Sequence, residues 1–344
     1  MELKVIILGV VLLVIGFVLL IKGADFFVDG AAGVAAKLRV PTLVIGLTIV
    51  AFGTSMPEFA TSVSSAAQKS VGIAIGNVVG SNICNIFLIL GLSAILAPLP
   101  VQKASLKIDL PVLLGASALI IVFGVTGNEI SRIEGAIMTA ILIAYTAFLI
   151  VNALKHRDAA EIEDLENHAV VTETEEKGFD AWYNKMKGFT WFLLVILVVG
   201  LGVVVGGAMM AVEGAKSIAS MIGISENIIG LTVVAIGTSL PELITSVMAA
   251  KKGETDIAVG NIVGSNLFNI LFVGGLSALV FPLPFAPGGN SFLPDGIIAL
   301  GAAVILSVFA YMPGHKLKKW QGFVLVAGAV AFYAYTVLRA AGAM

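Results

Sequence analysis

Long apolar stretches separated by short polar breaks dominate the hydrophobic pattern of this chain. Each stretch has about the 17–25 residues that a helix needs to cross a hydrocarbon core. The breaks contain Pro, Gly or charged residues, as at 98–107 and 282–294. The pattern predicts ten membrane-spanning helices, at about 5–27, 41–67, 71–97, 108–126, 131–152, 190–212, 227–250, 255–281, 293–312 and 320–340.

An internal repeat relates the two halves of the chain at an offset of 184 residues. Glu58 corresponds to Glu242 at this offset, and most positions of Val44–Val63 have an identical counterpart. Because each half contains an odd number of spans, the two halves must insert in opposite orientations. We therefore predict an all-α integral membrane fold, with ten transmembrane helices arranged as two inverted five-helix repeats. The predicted divisions are a first repeat at 1–152, a linker at 153–188 and a second repeat at 189–344.

The distribution of Lys and Arg predicts how this fold is oriented. Most of these residues lie in the connectors after odd-numbered spans, which the positive-inside rule places in the cytoplasm. Both termini are then extracellular, and the acidic connector at 153–188 is cytoplasmic. We interpret this connector as a solvated linker between the halves, with a calcium-sensing or regulatory segment as the alternative.

The composition is that of a multi-pass protein of the cell membrane, surrounded by lipid. Hydrophobic residues make up 58% of the chain and charged residues only 12%, compared with about 25% charged residues in soluble domains. The net charge of −2 does not suggest a nucleic-acid partner, and no obligatory protein partner is evident. The single cysteine, Cys84, excludes an intrachain disulfide. The first apolar stretch could be a signal peptide, but its length and its counterpart in the second half favour a span.

Two copies of one polar motif interrupt the second and seventh spans, GTSMPE at 53–58 and GTSLPE at 237–242. If the first copy is helical, its polar residues share one face with Ala51. Pro57 and Pro241 have no backbone N–H, so each frees a carbonyl one turn earlier in its helix. A carboxylate in mid-membrane is costly, which makes a functional role the default interpretation. The motifs thus combine carboxylate, hydroxyl and carbonyl oxygens, which hard cations prefer.

A second pair of motifs accompanies the first, GNVVGSNICN at 76–85 and GNIVGSNLFN at 260–269. In the first copy, Asn77, Ser81 and Asn85 are spaced as one helical stripe. The glycines would let neighbouring helices approach closely. Interhelical hydrogen bonding is the alternative role for these polar residues, but both halves keep the same stripe, which favours a site.

These oxygens suffice for a calcium ion. Glu58 and Glu242 offer up to four carboxylate oxygens, and the carbonyls of Thr54 and Thr238 offer two more, within the range of about 6–8 that Ca²⁺ takes. The remaining hydroxyls and amides could surround Na⁺. We expect no Lys or Arg in mid-span, and the repeat places only these two carboxylates there, so cations must neutralise them. A buried, protonated pair of glutamates is the alternative.

The two motif pairs resemble the α-repeats of the sodium/calcium exchanger family, prokaryotic type, within the calcium/cation antiporter superfamily. The resemblance covers nearly the whole chain. It implies an alternating-access antiporter that exchanges three Na⁺ for one Ca²⁺ with net charge movement and without K⁺. Such a protein is not an enzyme and has no cofactor, because Ca²⁺ and Na⁺ are the transported ions.

The resemblance also implies the site residues and the moving parts. Its calcium site corresponds to Glu58, Glu242 and the carbonyls of Thr54 and Thr238. Its sodium sites correspond to Ala51, Thr54, Ser55, Glu58, Ser81, Ala235, Thr238, Ser239, Glu242 and Ser265. Asn85 and Asn269 would face the central position, and an amide at 269, where some relatives have Asp, argues against K⁺ use. The first and sixth spans would slide as a gating pair.

Three other functions remain as alternatives. An H⁺/Ca²⁺ antiporter belongs to the same superfamily, but the paired hydroxyls in both motifs favour sodium. A passive cation channel is less consistent with a cage of paired carboxylates. An intramembrane hydrolase using Ser55 or Ser239 would need a base, and we expect no intramembrane His or Lys to supply one.

Overall fold

A computed structural model of the chain describes residues 2–155, 179–221, 235–286 and 291–340. The described part is almost entirely helical, apart from four strands of two residues each. The helices are α1 (Glu2–Leu38), α2 (Thr42–Thr54), α3 (Met56–Ala67), α4 (Val71–Leu96), α5 (Ser105–Thr126), α6 (Arg132–Lys155), α7 (Phe179–Lys187), α8 (Thr190–Met221), α9 (Ala235–Thr238), α10 (Leu240–Lys252), α11 (Thr255–Val280), α12 (Leu293–Tyr311) and α13 (Lys319–Ala340).

The all-helical membrane architecture predicted from the hydrophobic pattern is confirmed. Within the described ranges, eight helices are long and apolar enough to cross a membrane, or nine if the bent pair of α2 and α3 counts as one span. These helices correspond to nine of the ten predicted spans. The seventh predicted span, 227–250, lies partly outside the described residues, which resume with α9 and α10. The predicted linker also lies largely outside them, and its last part contains α7.

Two helices are longer than the sequence predicted. α1 continues to Leu38 instead of ending at 27, and α8 continues to Met221 instead of 212. The predicted ends are wrong because they followed the apolar run, whereas polar and charged residues beyond it do not interrupt helical hydrogen bonding. α1 instead ends just before Val40 and Pro41, where the residue preceding proline disfavours helix.

α1 and α8 form a close antiparallel pair along most of their length. A β-carbon added at Gly16 would lie 2.5 Å from the backbone nitrogen of Ala211, and one at Gly207 would lie 2.7 Å from that of Leu20. The two backbones therefore touch directly, as small residues allow in membranes. The glycines of this interface recur every seven residues, at Gly9, Gly16, Gly23 and Gly30 of α1 and at Gly200, Gly207 and Gly214 of α8.

Short strands join the connectors of the two repeats. β1 (Leu99–Pro100) pairs with β4 (Lys316–Leu317), and β2 (Glu129–Ile130) pairs with β3 (Leu283–Pro284). Both pairings are antiparallel, and each links a connector of the first repeat to one of the second. The repeats are therefore interlocked outside the helices as well as within them.

Candidate functional site

The first GTSMPE motif interrupts its span. α2 ends at Thr54, α3 begins at Met56, and the two axes are bent by 47°. Ser55 between them has a non-helical ψ of 5°. Pro57 lies in the first turn of α3, where its missing N–H is tolerated. The predicted disturbance by Pro57 is confirmed, whereas a continuous helix through the motif is wrong because the helix breaks at Ser55.

The second motif repeats this geometry. α9 ends at Thr238, α10 begins at Leu240, and Ser239 between them has a ψ of 6°. Pro241 again lies in the first turn of the following helix. Each repeat therefore presents the end of one helix and the beginning of the next at its motif.

The two glutamates lie in the first turns of α3 and α10 and are almost completely buried, with exposures of 1% for Glu58 and 0% for Glu242. Ser239 Oγ donates to Glu58 Oε1 at 3.0 Å, and Ser55 Oγ donates to Glu242 Oε1 at 3.0 Å. Each carboxylate thus accepts a hydrogen bond from the opposite repeat. The positive end of each helix dipole also favours a negative charge at these positions.

The second oxygen of each carboxylate has no partner among the described residues. Oε2 of Glu58 and Oε2 of Glu242 are buried without a hydrogen bond, and so are both amide atoms of Asn85 and of Asn269. A buried charge without a partner is strongly unfavourable, whereas a cation would satisfy it. The donor set of carboxylates, amide oxygens and hydroxyls suits a hard cation.

The other predicted site residues lie around these carboxylates. Ser81 is buried, and its hydroxyl oxygen is 3.5 Å from that of Ser239. Thr54, Ser265 and Ala51 are fully buried, and Thr238 is partly buried. Ala235 begins α9, but its side chain lies outside the described residues. The contacts therefore place Ser55, Ser239 and Ser81 beside the carboxylates, and the ligand roles of the whole set stay predictions.

The central asparagines lie on widened helical turns that the sequence did not reveal. α4 contains a π-helical segment at Cys84–Leu90, and α11 contains one at Phe268–Gly274. Asn85 and Asn269 are the second residues of these segments. The predicted stripe therefore follows α-helical spacing only up to the π segment. Such segments often occur at functional sites, where they redirect side chains.

A polar network behind the site was not predicted from the sequence. Asn77 Nδ2 donates to Ser62 Oγ at 2.8 Å, and Asn261 Nδ2 donates to Ser246 Oγ at 2.9 Å. Asn261 Oδ1 accepts from Thr54 Oγ1 at 3.0 Å, across the repeat boundary. The available signal was the offset of 184 residues, which relates both the asparagines and the serines.

Two charged residues inside spans were also not anticipated. Asp109 of α5 is a buried carboxylate, but Tyr145 Oη donates to its Oδ1 at 2.6 Å. Lys22 lies near the middle of α1, so the expectation of no basic residue in mid-span is wrong. Its side chain is exposed, in contrast to the buried glutamates. Neither residue alters the charge of the candidate site.

A second polar cluster ties the end of α1 to neighbouring helices. Lys252 Nζ lies 2.6 Å from Asp25 Oδ1 and 2.5 Å from Asp29 Oδ1. Lys187 and Tyr183 of α7 also contact Asp29, at 3.4 Å and 3.2 Å. Burial and the nearby Asp29 carboxylate raise the pKa of Tyr183 well above its ordinary value, so this phenol keeps the proton that it donates.

Within the described part of the chain, no group of three or more His, Cys, Asp and Glu residues is placed to hold a metal ion. A cation at the candidate site would therefore depend on backbone carbonyls and hydroxyls in addition to the two glutamates.

Comparison with known proteins gives consistent matches over almost the whole chain. Residues 8–151 and 192–338 match the family model described as "Sodium/calcium exchanger protein". The chain is 36% identical to sodium/calcium exchanger MaX1 of Methanosarcina acetivorans, over 95% of this chain and 96% of that protein. It is 31% identical to inner membrane protein YrbG of Escherichia coli, over 95% and 96% of the two chains.

The fold is similar to a solved structure of the sodium-calcium exchanger NCX_Mj, soaked with 10 mM Na⁺ and 10 mM Sr²⁺. The TM-score is 0.79 at 34% sequence identity, and the match covers 96% of this chain and 98% of that chain. Sequence and fold therefore agree over both repeats.

Proposed function

Because this chain belongs to the sodium/calcium exchanger family, we propose that it exchanges Na⁺ for Ca²⁺ at the buried site formed by Glu58 and Glu242. The family makes it a membrane antiporter of the cation/Ca²⁺ type. Beyond this family-level statement, we propose that sodium is the coupling ion and that K⁺ is not used. We also propose that the protein has no resident cofactor or obligatory protein partner.

One observation carries the calcium assignment. Glu58 and Glu242 come from opposite repeats, are buried, and each keep one oxygen without a hydrogen bond among the described residues. Two such carboxylates cannot both stay charged without a divalent ion or several monovalent ions between them. The carbonyls of Thr54 and Thr238, at the ends of α2 and α9, would complete the calcium shell.

The sodium assignment rests on the oxygens around that pair. The hydroxyls of Ser55 and Ser239 already contact the carboxylates across the repeat boundary. The remaining sodium ligands proposed are Thr54, Ser81, Thr238 and Ser265, with the carbonyls of Ala51 and Ala235. Smaller, weakly charged sites of this kind suit Na⁺ better than a second divalent ion.

The strand pairs support the proposed count of ten spans, whereas the proposal that both termini are outside rests on the distribution of Lys and Arg. β1 and β4 are hydrogen-bonded, so their connectors lie on the same side of the membrane. An even number of crossings must therefore separate them. Among the described residues, α5, α6, α8, α11 and α12 provide five, and a further crossing that includes α10 would make the number even. We propose that this crossing is the seventh span and that the protein lies in the cell membrane.

The charge of the site supports electrogenic exchange. Two glutamates and two neutral asparagines, Asn85 and Asn269, give a pocket that one Ca²⁺ would neutralise. Three Na⁺ in the same pocket would leave it with one positive charge. Each cycle would then move one positive charge in the direction of sodium.

Transport into proteoliposomes tests the coupling ion. We expect ⁴⁵Ca²⁺ uptake when Na⁺ is loaded inside, and none when an imposed pH gradient of equal driving force replaces it. Uptake driven only by the pH gradient would assign an H⁺/Ca²⁺ antiporter. Uptake with no gradient of either ion, down the calcium gradient alone, would indicate a channel.

Matched variants connect this activity to the site. Glu242→Gln should abolish Na⁺-driven uptake, because a single carboxylate no longer balances a divalent ion. Glu213→Gln removes a carboxylate that is exposed on α8 and should keep the parental rate. Normal uptake by Glu242→Gln at parental expression would contradict the calcium-site assignment.

A further inference from the structure

The hydroxyl of Thr54 has one proton and three acceptors within reach. Its Oγ1 lies 3.0 Å from Asn261 Oδ1, 3.1 Å from the carbonyl oxygen of Val50 and 3.4 Å from that of Ala51. A helical threonine ordinarily donates to a carbonyl three or four residues earlier. Here an amide oxygen from the opposite repeat competes for the same proton. The hydroxyl can donate its proton to only one of these three oxygens. The two that do not accept it can bind a cation.

In the other repeat, the orientation of the matching amide is fixed from behind. Asn77 Nδ2 donates to the backbone carbonyl of Glu58 at 3.2 Å and to Ser62 Oγ at 2.8 Å. A backbone carbonyl can only accept, so the amide nitrogen must face it. Asn77 Oδ1 therefore faces Thr238, whose Oγ1 lies 3.5 Å away.

Asn261 has the corresponding anchor in Ser246, to which its Nδ2 donates at 2.9 Å. Its side chain is fully buried, and its bond to Thr54 is the shorter of the two cross-repeat contacts. Each asparagine is thus held by a serine of its own repeat and presents its oxygen to a threonine of the other.

We propose that Asn77 and Asn261 are positioning residues for sodium, acting through the threonine hydroxyls. By accepting the proton of Thr54, Asn261 turns the lone pairs of that hydroxyl toward the site and leaves the carbonyl of Ala51 unblocked. Asn77 does the same for Thr238 more weakly. This inference rests on the proposed Na⁺/Ca²⁺ exchange, and it assigns the asparagines no direct contact with either ion.

The two ions should respond differently to loss of this contact. Without the amide oxygen, the proton of Thr54 would turn to the carbonyl of Val50 or Ala51. If Ala51 takes the proton, its carbonyl is no longer available to sodium. In either case the lone pairs of the Thr54 hydroxyl turn away from the site. The proposed calcium shell uses the threonine carbonyl, which the proton does not touch. One hydrogen bond corresponds to a change of about 3- to 10-fold in affinity.

A double-mutant cycle tests the proposal. Asn261→Leu removes the acceptor at similar volume, and Thr54→Val removes the whole hydroxyl, with its proton and its proposed sodium-ligand oxygen, but keeps the backbone carbonyl. We expect each single variant to raise the Na⁺ concentration for half-maximal ⁴⁵Ca²⁺ exchange by about 3- to 10-fold, with the half-maximal Ca²⁺ concentration changed less than about twofold. The double variant should be no worse than the worse single variant, because both remove one interaction.

Asn266→Leu provides the matched control. This asparagine is buried on the same helix, but its Nδ2 donates to the carbonyl of Ile262 within α11. When Asn266→Leu is combined with Thr54→Val, the change in half-maximal Na⁺ concentration should be the product of the two single changes, because the two residues act independently. If Asn261→Leu does not fold, Asn77→Leu with Thr238→Val gives the same cycle in the other repeat, with a smaller expected effect.

Three results would overturn the inference, and they can be distinguished. If the double variant raised the half-maximal Na⁺ concentration by the product of the two single effects, the asparagine would not act through the hydroxyl. Equal losses for Na⁺ and Ca²⁺ would indicate a general structural role. A parent protein without Na⁺-driven exchange would refute the proposed function, and the positioning role together with it.

Discussion

Replacing Gly207 by alanine should weaken the packing of α1 against α8, with a measurable loss of stability. Gly207 lies at the middle of the glycine series, where the two backbones are in contact. The added methyl group would lie 2.7 Å from the backbone nitrogen of Leu20 and 2.8 Å from the carbonyl oxygen of Gly16. Neither of these atoms can move without moving α1 itself.

The size of the effect follows from these distances. Ordinary contact begins near 3.4 Å, so the helices must separate locally by roughly 0.7 Å. Overpacking of this kind costs about 1–3 kcal/mol. Alanine also favours the helical state by roughly 0.5–1 kcal/mol relative to glycine, which partly offsets the cost. We therefore expect Gly207→Ala to destabilise the protein by about 1–2 kcal/mol.

Gly202→Ala is the matched control on the same helix. Gly202 is exposed, and a β-carbon added there would meet no described atom within 4 Å beyond the adjoining backbone of its own helix. Only the helix-propensity gain should remain. Thermal unfolding of both purified variants in detergent, followed by intrinsic fluorescence, measures the difference. Initial ⁴⁵Ca²⁺ uptake rates then show whether the same contact matters for transport.

A midpoint for Gly207→Ala equal to that of Gly202→Ala would refute this reasoning. It would mean that α1 and α8 can separate without loss, so that the contact carries no packing energy. A lower midpoint for both variants would instead point to a general intolerance of alanine in α8.

Three further predictions concern charge. Glu58→Gln should lose Na⁺-driven ⁴⁵Ca²⁺ uptake as completely as the corresponding change in the second repeat, and a much milder loss would contradict a symmetric calcium site. Lys252→Met should lower the free energy of unfolding by about 0.5–1 kcal/mol, because Asp25 and Asp29 both lose the Lys252 ammonium and only Lys187 stays beside Asp29. Lys252→Arg should keep the parental stability, and equal melting temperatures for the two variants would argue against a contribution from this cluster. An inside-negative potential, set with potassium and valinomycin, should oppose Ca²⁺ uptake driven by internal Na⁺ by about 2.3 kcal/mol per 100 mV, and final Ca²⁺ levels that are independent of potential would indicate electroneutral exchange.

Much of the site could be predicted because the chain carries it twice. The offset of 184 residues relates Glu58 to Glu242 and both prolines to each other, and an isolated polar motif in an apolar span is conspicuous. A disturbance of the helix beside Pro57 was predicted from the missing N–H alone, but the position of the break, at Ser55, was not. These features depend on local chemistry, which a single sequence displays directly.

The remaining features depend on which helices are neighbours. The bond from Thr54 to Asn261 joins residues 207 positions apart, and no local pattern indicates it. The π-helical segment around Asn85 likewise leaves no distinctive residue in the sequence. The ends of α1 and α8 were misplaced because an apolar run stops earlier than the helix that contains it. The seven-residue spacing of the glycines is visible in the sequence, but only the structure shows that these glycines pack α1 against α8.

The contact between α1 and α8 also has a consequence for biosynthesis. Leu38 ends α1 and Thr190 begins α8, so about 150 residues must be made between them. At roughly 5–20 residues per second, this delay lasts on the order of 8–30 s. During that time α1 is stable in the bilayer by itself, since its backbone hydrogen bonds are internal. Its glycine face, however, borders lipid or the insertion machinery until α8 emerges, so the most extensive contact between two described helices cannot form until more than half of the chain has been made.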